Sequence, residues 1–410
     1  MSRKLISFLG NMRLEETTYC CGDQEHATCY MADAATRFFA PDRVFVVVTA
    51  SAREKHFAEL TRRMAGRMLP EPVDIPDGAA EHELWTIFNQ LAGVIDDGDQ
   101  ILFDITNSFR SLPMLALLVT SFVRVVRNVT LERIVYGAFE ARDQATNRTP
   151  VFDLTPFARL LDWTTATDTF LRYGRADGLA ELLNMMPATT QASTTGAQQL
   201  TASLRSLTSA LHTSRPAEVM QRAASLDQVI QQFRDDAPHG EAAAFEPLAL
   251  LLGRIEHEYR RFRHAHPHRR DQAREIVDRQ LDVIEWYAAK SMYVQAFTLA
   301  REWLVSVVLA EVGADIYHRE ERLFAEAALG GFAAAKETGR DVPDSMKHIV
   351  HRGRLNSLWE EIRILRNDLA HAGMSRNARP ASEVEARVAR VCAQLRQALA
   401  TARAHSGGSS

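Results

Sequence analysis

The residues best suited to chemistry lie near the end of the chain, in Arg366-Asn367-Asp368-Leu369-Ala370-His371. An arginine followed five positions later by a histidine supplies a planar fork of donors for phosphoryl oxygens and a group that exchanges protons near neutrality. The pair suits metal-independent cleavage of RNA. Arg366 would stabilise the phosphorane oxygens, while His371 accepts the 2′-hydroxyl proton or protonates the 5′-oxygen leaving group. On an ideal helix five residues set the two side chains about 140° apart. They can serve one site only if the helix ends between Ala370 and Gly373. A plainer arrangement is also open, with Arg366 paired to Asp368 or Glu361 and His371 on the surface.

A second set of polar residues follows the apolar runs of the first third of the chain. Gly10, Asn11, Met12 and Arg13, leading to Thr18 and Tyr19, come after Lys4–Leu9. Thr49, Ala50 and Ser51 follow Val44–Val48, and Thr106, Asn107, Ser108, Phe109 and Arg110 follow Gln100–Ile105. Loops this dense in hydroxyls, amides and backbone N–H groups, with Arg13 and Arg110 as cations, can cradle an anion. The alternative is that Asn107 or Ser111 caps the next helix and Arg110 is solvated. Neither Gly-x-Gly-x-x-Gly nor Gly-x-x-x-x-Gly-Lys-Ser/Thr occurs, so dinucleotide and P-loop chemistry lose support.

These loops need a sheet to hold them. Lys4–Leu9, Arg43–Thr49, Gln100–Ile105 and Leu131–Phe139 read as strands, with Val151–Leu154 as a further edge. Glu81–Asp96 and Leu112–Arg127 carry apolar residues at helical spacing. Alternation of this kind predicts a doubly wound, mostly parallel α/β sheet with ligands outside the carboxyl ends of its strands. Beyond about residue 160 the strand signals stop. Residues 187–203 read as a loop or weak helix start, and the rest as helices. Phe297, Ala300, Leu304, Val307 and Glu311 form one stripe; Leu355, Leu358, Ile362, Leu365 and Leu369 a second; Val384, Val388, Val391, Leu395 and Leu399 a third. Ser357-x-x-Glu360 suggests a capping box for the second stripe and Gly373 its stop. The fold class is therefore a Rossmann-like α/β domain followed by an all-α region.

Composition narrows the setting. The chain has 410 residues, 46% hydrophobic and 24% charged, which fits two or three folded domains. Leu112–Val123 is too short and interrupted to span a bilayer, and Leu5–Gly10 is too short for a secretory signal. The four cysteines read as reduced thiols of a cytoplasmic protein. Cys20, Cys21 and Cys29 with His26 lack metal-ligand spacing, so no metal is expected. His264-Ala-His266-Pro-His268 sits in a block containing Arg260, Arg261, Arg263, Arg269, Arg270 and Arg274, read as a solvated basic segment. Trp85, Trp163, Trp286, Trp303 and Trp359 read as core or interface residues. With 48 basic against 52 acidic residues the net charge is −4, which argues against a generic nucleic-acid coat but leaves room for local phosphate sites.

Two resemblances then become specific. Leu5-Ile6-Ser7-Phe8-Leu9-Gly10 with Thr18-Tyr19, together with Asp104-Ile105-Thr106-Asn107-Ser108-Phe109-Arg110-Ser111-Leu112-Pro113, looks like the CARF (CRISPR-associated Rossmann fold) sensor domain over residues 1–160. The resemblance implies that the strand-end loops hold a cyclic oligoadenylate across a homodimer two-fold axis. Cyclic tetra-adenylate is the expected activator, with cyclic hexa-adenylate as the alternative; the family often has His or Gly where this chain has Asn107 and Ser108. The Arg-Asn-x-x-x-His core, preceded by a long amphipathic segment at Ser291–Val312, is similar to the HEPN ribonuclease domain over 285–405. That resemblance implies two motifs, one per protomer, forming one composite site in which Asn367 and Asp368 orient Arg366 and His371. CARF before HEPN resembles the effector ribonucleases of type III CRISPR systems, with 161–284 as a helical connector. It implies a cyclic oligoadenylate-activated endoribonuclease, a homodimer or higher even oligomer. It would cut single-stranded RNA by 2′-hydroxyl attack with no cofactor, metal or membrane. A catalytically silent sensor and a ligand-independent toxin-type ribonuclease are the competing readings.

Overall fold

The computed structural model describes residues 2–107, 112–186, 191–236, 242–330, 341–374 and 379–404. The chain forms two compact units, Met1–Leu161 and Asp162–Ser410.

The first unit is built on an eight-stranded sheet. Its strands are β1 (Arg3–Leu9), β2 (Thr17–Cys21), β3 (Gln24–Thr28), β4 (Arg43–Val48), β5 (Glu71–Asp74), β6 (Gln100–Asp104), β7 (Thr130–Gly137) and β8 (Arg148–Asp153). Their order is β3-β2-β8-β7-β6-β1-β4-β5, with β7, β6, β1, β4 and β5 parallel and β8 antiparallel to β7. The apolar runs foreshadow this arrangement because the central strands are covered on both faces. Leu5, Leu9, Val44, Val46 and Val48 face one core, with Met31, Ala34 and Ala35 of helix α1 (Met31–Phe39). Ile6, Phe8, Phe45 and Val47 face the other, against α4 (Glu81–Gly93) and α5 (Leu112–Val126). Between β4 and β5 a helical run has three parts: a single turn, α2 (Ala50–Ala52), a π-helix at Arg53–Phe57, and α3 (Ala58–Met64).

Three strands escaped the sequence reading. β2 and β3 (Thr-Thr-Tyr-Cys-Cys and Gln-Glu-His-Ala-Thr) lack a continuous apolar run, and β3 is an edge strand exposed over much of its length. β5 is a four-residue edge strand containing Pro72, a residue tolerated only at such positions.

Among the described residues the second unit is mostly helical and has no strand. It comprises most of α6 (Thr155–Tyr173), then α7 (Asp177–Asn184), α8 (Gln191–His212), α9 (Pro216–Asp235), α10 (Ala242–Tyr259), α11 (Ala273–Ala289), α12 (Tyr293–Val312), α13 (Arg319–Leu329), α14 (Asp344–Arg352), α15 (Leu355–Ala370) and α16 (Ala381–Arg403). One hydrophobic core runs through them, with Trp286, Trp303 and Tyr287 fully buried. Of the two readings open for 187–203, loop or weak helix start, the helix holds from Gln191 onward, and its Thr, Ser and Gln residues accompany a buried Leu200, Leu204, Leu207 and Leu211 stripe. α12 is not amphipathic either. It buries residues on nearly every side and acts as the central helix of this unit.

Candidate functional site

In the first unit the loops after β1, β4 and β6 converge at the carboxyl ends of the parallel strands. Asn11 Nδ2 donates to Ser51 Oγ at 3.3 Å, joining the first loop to the second. The first and third loops touch through backbone: a Cβ at Gly10 would lie 3.0 Å from the Asn107 carbonyl oxygen. Glycine at this position permits that approach. The π-helix, a feature often found at functional sites, turns two more side chains onto the first loop. Lys55 Nζ donates to Asn11 O at 3.3 Å and His56 Nε2 donates to Met12 O at 2.9 Å. Sequence reasoning missed both, because an inserted π turn leaves no signal in composition.

The candidate residues divide by exposure. Gly10 and Ser51 are half-buried, and Asn11, Arg13 and Ala50 are exposed. Arg13 makes no ion pair among the described residues. Thr49 is buried and caps α2, its hydroxyl accepting from Ala52 N at 3.4 Å. Tyr19 is only 3% exposed and belongs to the core on the α1 side. Its ring lies under Gly137, where a Cβ would meet Tyr19 Cε1 at 2.7 Å. Burial raises its phenol pKa well above the usual value, and the nearby Asp104 adds to that. Tyr19 therefore supports the floor of the cluster from within, and Thr18 lies half-buried on β2 beside it. Ser108, Phe109 and Arg110 lie outside the described residues.

Beneath the third loop sits Asp104, fully buried at the end of β6. Ser7 Oγ donates to its Oδ2 at 2.5 Å, and Thr106 N and Oγ1 donate to its Oδ1 at 3.0 and 2.6 Å. Thr106 Oγ1 in turn accepts from Gly137 N at 2.8 Å. Burial raises the Asp104 carboxyl pKa above the usual carboxylate range, against the pull of the three bonds it accepts. The sequence did hold a signal for Ser7 and Asp104: both are polar residues interrupting otherwise apolar strands.

Over residues 4–140 the chain matches the CARF domain of the CRISPR system endoribonuclease Csx1. Residues 159–268 match a further family model, the second domain of CRISPR-associated protein MJ1674. That protein, from Methanocaldococcus jannaschii, is 33% identical to this chain over 109 residues, which are 26% of this chain and 17% of the relative. The chain thus spans about a sixth of the length of the curated relative it matches. The sheet unit is CARF-like, and the stretch read as a connector is similar to a domain of a CRISPR-associated protein.

In the second unit the Arg-x4-His residues close α15. Leu355, Leu358, Trp359, Ile362 and Leu365 bury the inner face, as the stripe predicts. The proposed capping box does not form: α15 starts at Leu355, and Ser357 Oγ donates to Arg354 O at 3.0 Å. The other end behaves as expected. The helix stops at Ala370 with His371 as its C-cap, and Ala372 and Gly373 both adopt positive φ, 52° and 65°. Gly373 N then donates back to Asp368 O at 3.0 Å. The reversal follows His371, which keeps the helical bond from its N–H to Asn367 O at 3.0 Å and is exposed.

Arg366 is half-buried, with Nη1 donating to Asn367 Oδ1 at 3.2 Å. Its Nε is buried and has no partner among the described residues. The carboxylates that might have paired with it face other arginines. Glu361 meets Arg390 at 2.8 Å, and Asp368 lies 3.7 Å from Arg379. Arg133, Arg234, Arg263, Arg279 and Arg352 each have a buried Nε in the same state, so this feature alone does not set Arg366 apart.

The remaining sequence candidates are structural. His26 bonds Asp33 at 2.9 Å, which also takes Arg67 at 2.8 Å, and no group of three or more His, Cys, Asp or Glu among the described residues could hold a metal. The basic block proves largely neutralised: Arg263 pairs with Asp227, Arg269 with Asp271, and Arg274 with Glu311. His264 is buried, and burial lowers its pKa. Trp85 is the exception among the tryptophans at 64% exposed. No helix among the described residues is long and apolar enough to cross a membrane.

Proposed function

We propose that the chain is a cyclic oligoadenylate-activated endoribonuclease of type III CRISPR defence, working in the cytoplasm as a homodimer or higher even oligomer. The observation that carries this reading is the match of residues 4–140 to the CARF domain of an endoribonuclease. The strand-end cluster formed by Gly10, Asn11, Ser51 and Asn107, with the exposed Arg13 on the same first loop, offers the polar and cationic groups that an oligonucleotide ring needs. Cyclic tetra-adenylate is the activator proposed, with cyclic hexa-adenylate as the alternative.

A second copy of the chain has a face to meet. α5, which leaves the third loop, presents Met114, Leu118, Phe122, Val125 and Val126 to solvent at helical spacing, with Val125 at 86% exposure. Apolar patches of this kind mark interaction sites. In the proposed dimer each stripe packs against its copy.

Cleavage falls to Arg366 and His371, one pair from each protomer forming a single site in a HEPN-type domain over residues 285–405. Arg366, whose Nε lacks a partner, holds the non-bridging oxygens of the scissile phosphate. His371 moves the proton: the 2′-oxygen gives up its proton and attacks phosphorus, and the 5′-oxygen leaves protonated. The products are a 2′,3′-cyclic phosphate and a 5′-hydroxyl. Asn367 holds the Arg366 guanidinium, and Asp368 shares its orienting role.

An RNA-cleavage assay across cyclic tri-, tetra- and hexa-adenylate, with wild type and His371→Ala, tests this reading. Cleavage that depends on one of these rings and disappears in His371→Ala supports it. Undiminished cleavage without any ring indicates the ligand-independent ribonuclease. Ring binding with no cleavage under any condition indicates the silent sensor.

A further inference from the structure

We propose that Asp104 and Thr106 are positioning residues for the oligoadenylate site, setting the shape of its loops from beneath without touching the ligand. The inference rests on the ligand site proposed above and adds how that site keeps its form. Its basis is one continuous chain of hydrogen bonds: Ser7 Oγ to Asp104 Oδ2 at 2.5 Å, Thr106 Oγ1 to Asp104 Oδ1 at 2.6 Å, and Gly137 N to Thr106 Oγ1 at 2.8 Å. These groups come from β1, β6, the third loop and β7, which are neighbours in the sheet.

Two features separate this network from ordinary core satisfaction. First, Asp104 is fully buried, and all the bonds it accepts come from neutral donors. A carboxylate in that setting is costly to keep, and evidently is not present to pair a charge. Second, Thr106 has its backbone N–H and its hydroxyl hydrogen directed down to Asp104, and its hydroxyl oxygen accepts from Gly137. Thr106 is therefore engaged on the protein side. That turn carries the next residue to where Asn107 O lies against Gly10, the contact that joins the third loop to the first. Asn11, on the first loop, continues the contact to Ser51. One buried carboxylate thus determines where three loops meet. A ligand that bridges those loops reads their spacing, and small errors in spacing are expensive for recognition.

The test compares Thr106→Val, which keeps shape and loses the hydroxyl, with Thr106→Ser, which restores it, alongside Asp104→Asn. All are made in the full chain and checked by thermal melting. With cyclic tetra-adenylate and cyclic hexa-adenylate as probes, Thr106→Val and Asp104→Asn are expected to raise the half-activating concentration by about tenfold or more. The saturated cleavage rate should change far less, and Thr106→Ser should stay near wild type. A half-activating concentration unchanged in folded Thr106→Val and Asp104→Asn overturns the inference. So does a loss confined to the saturated rate. A second arm needs no ligand. Amide hydrogen exchange at residues 10–14 and 105–107 is expected to quicken in Thr106→Val and to recover in Thr106→Ser. Unchanged exchange at 10–14 overturns the inference even if wild type binds neither ring, whereas ring binding alone bears on the ligand reading.

Discussion

The strand-end cluster of the first unit and the end of α15 in the second handle their polar groups in opposite ways. At the cluster, polar groups bond one another across loops: Asn11 to Ser51, Lys55 and His56 to the first loop, Thr106 to both Asp104 and Gly137. At the end of α15, the buried Nε of Arg366 has no partner among the described residues, while neighbouring carboxylates face Arg379 and Arg390. The contacts between the loops of the first site are made within one chain. At the second, Arg366 donates to the neighbouring Asn367. Under the function proposed above, loops already joined would bind a ring before a cleavage site is completed between protomers.

The strongest way to break this comparison is to remove the chemistry. His371→Ala is expected to lower ligand-stimulated RNA cleavage by roughly 10²- to 10⁴-fold, the usual contribution of a general acid or base. Ring binding, followed by calorimetry, should be unchanged. Robust cleavage by that variant would remove His371 from the mechanism. Phe122→Glu on α5 comes next. A charge in the apolar stripe should turn a dimer into monomers in sedimentation, and reduce ligand-stimulated cleavage by on the order of tenfold or more. A fully active monomer would show that α15 needs no second copy.

Smaller effects sharpen the first half of the comparison. Arg13→Ala, and Arg110→Ala from the same set of sequence candidates, should each raise the ring concentration needed for activation by roughly three- to tenfold, and flatten its dependence on salt. An unchanged dose response takes that arginine out of the site. The least effect concerns Asp104 and pH. Its carboxyl is raised by burial, so ionisation weakens the fold above the raised pKa, and the penalty fades as pH falls toward the unfolded value near 3.9. Wild type should therefore gain melting temperature relative to Asp104→Asn as pH falls through the raised pKa toward the unfolded value. A gap between the two that stays constant from alkaline pH down to the unfolded value contradicts a raised Asp104 pKa.

The molecule was legible in sequence wherever a local rule decides structure. Val44–Val48 announces a two-sided strand because it is apolar without interruption. The stripe from Leu355 to Leu369 announces α15 by its spacing, and Gly373 its end. The loops were legible because they follow strands. What could not be read depends on partners distant in sequence. β2 is held by β8, well over a hundred residues away, and its own residues carry no strand pattern. Asp104 acquires its role from Ser7 and Gly137, and Tyr19 was promoted to a ligand residue because nothing local reveals that its ring is buried. The free nitrogen of Arg366 was hidden for a related reason. Only the fold shows that Arg379 and Arg390 face the acids beside it.

The π-helix at Arg53–Phe57 carries a consequence for insertions and deletions. A π turn holds one residue more than an α turn, so everything after it is out of step with what precedes it by about 100°. Ala52 before the turn and Leu60 and Met64 after it are all buried, which is possible only with that extra residue in place. Arg53, Glu54 and Lys55 are exposed and, taken singly, appear dispensable. Deleting any one of them would let an unbroken α-helix form, and would turn Leu60 and Met64 off the core while swinging Lys55 or His56 away from the loop they hold. Along this surface the number of residues is under tighter constraint than their identity, so relatives should differ here by substitution and keep the same length.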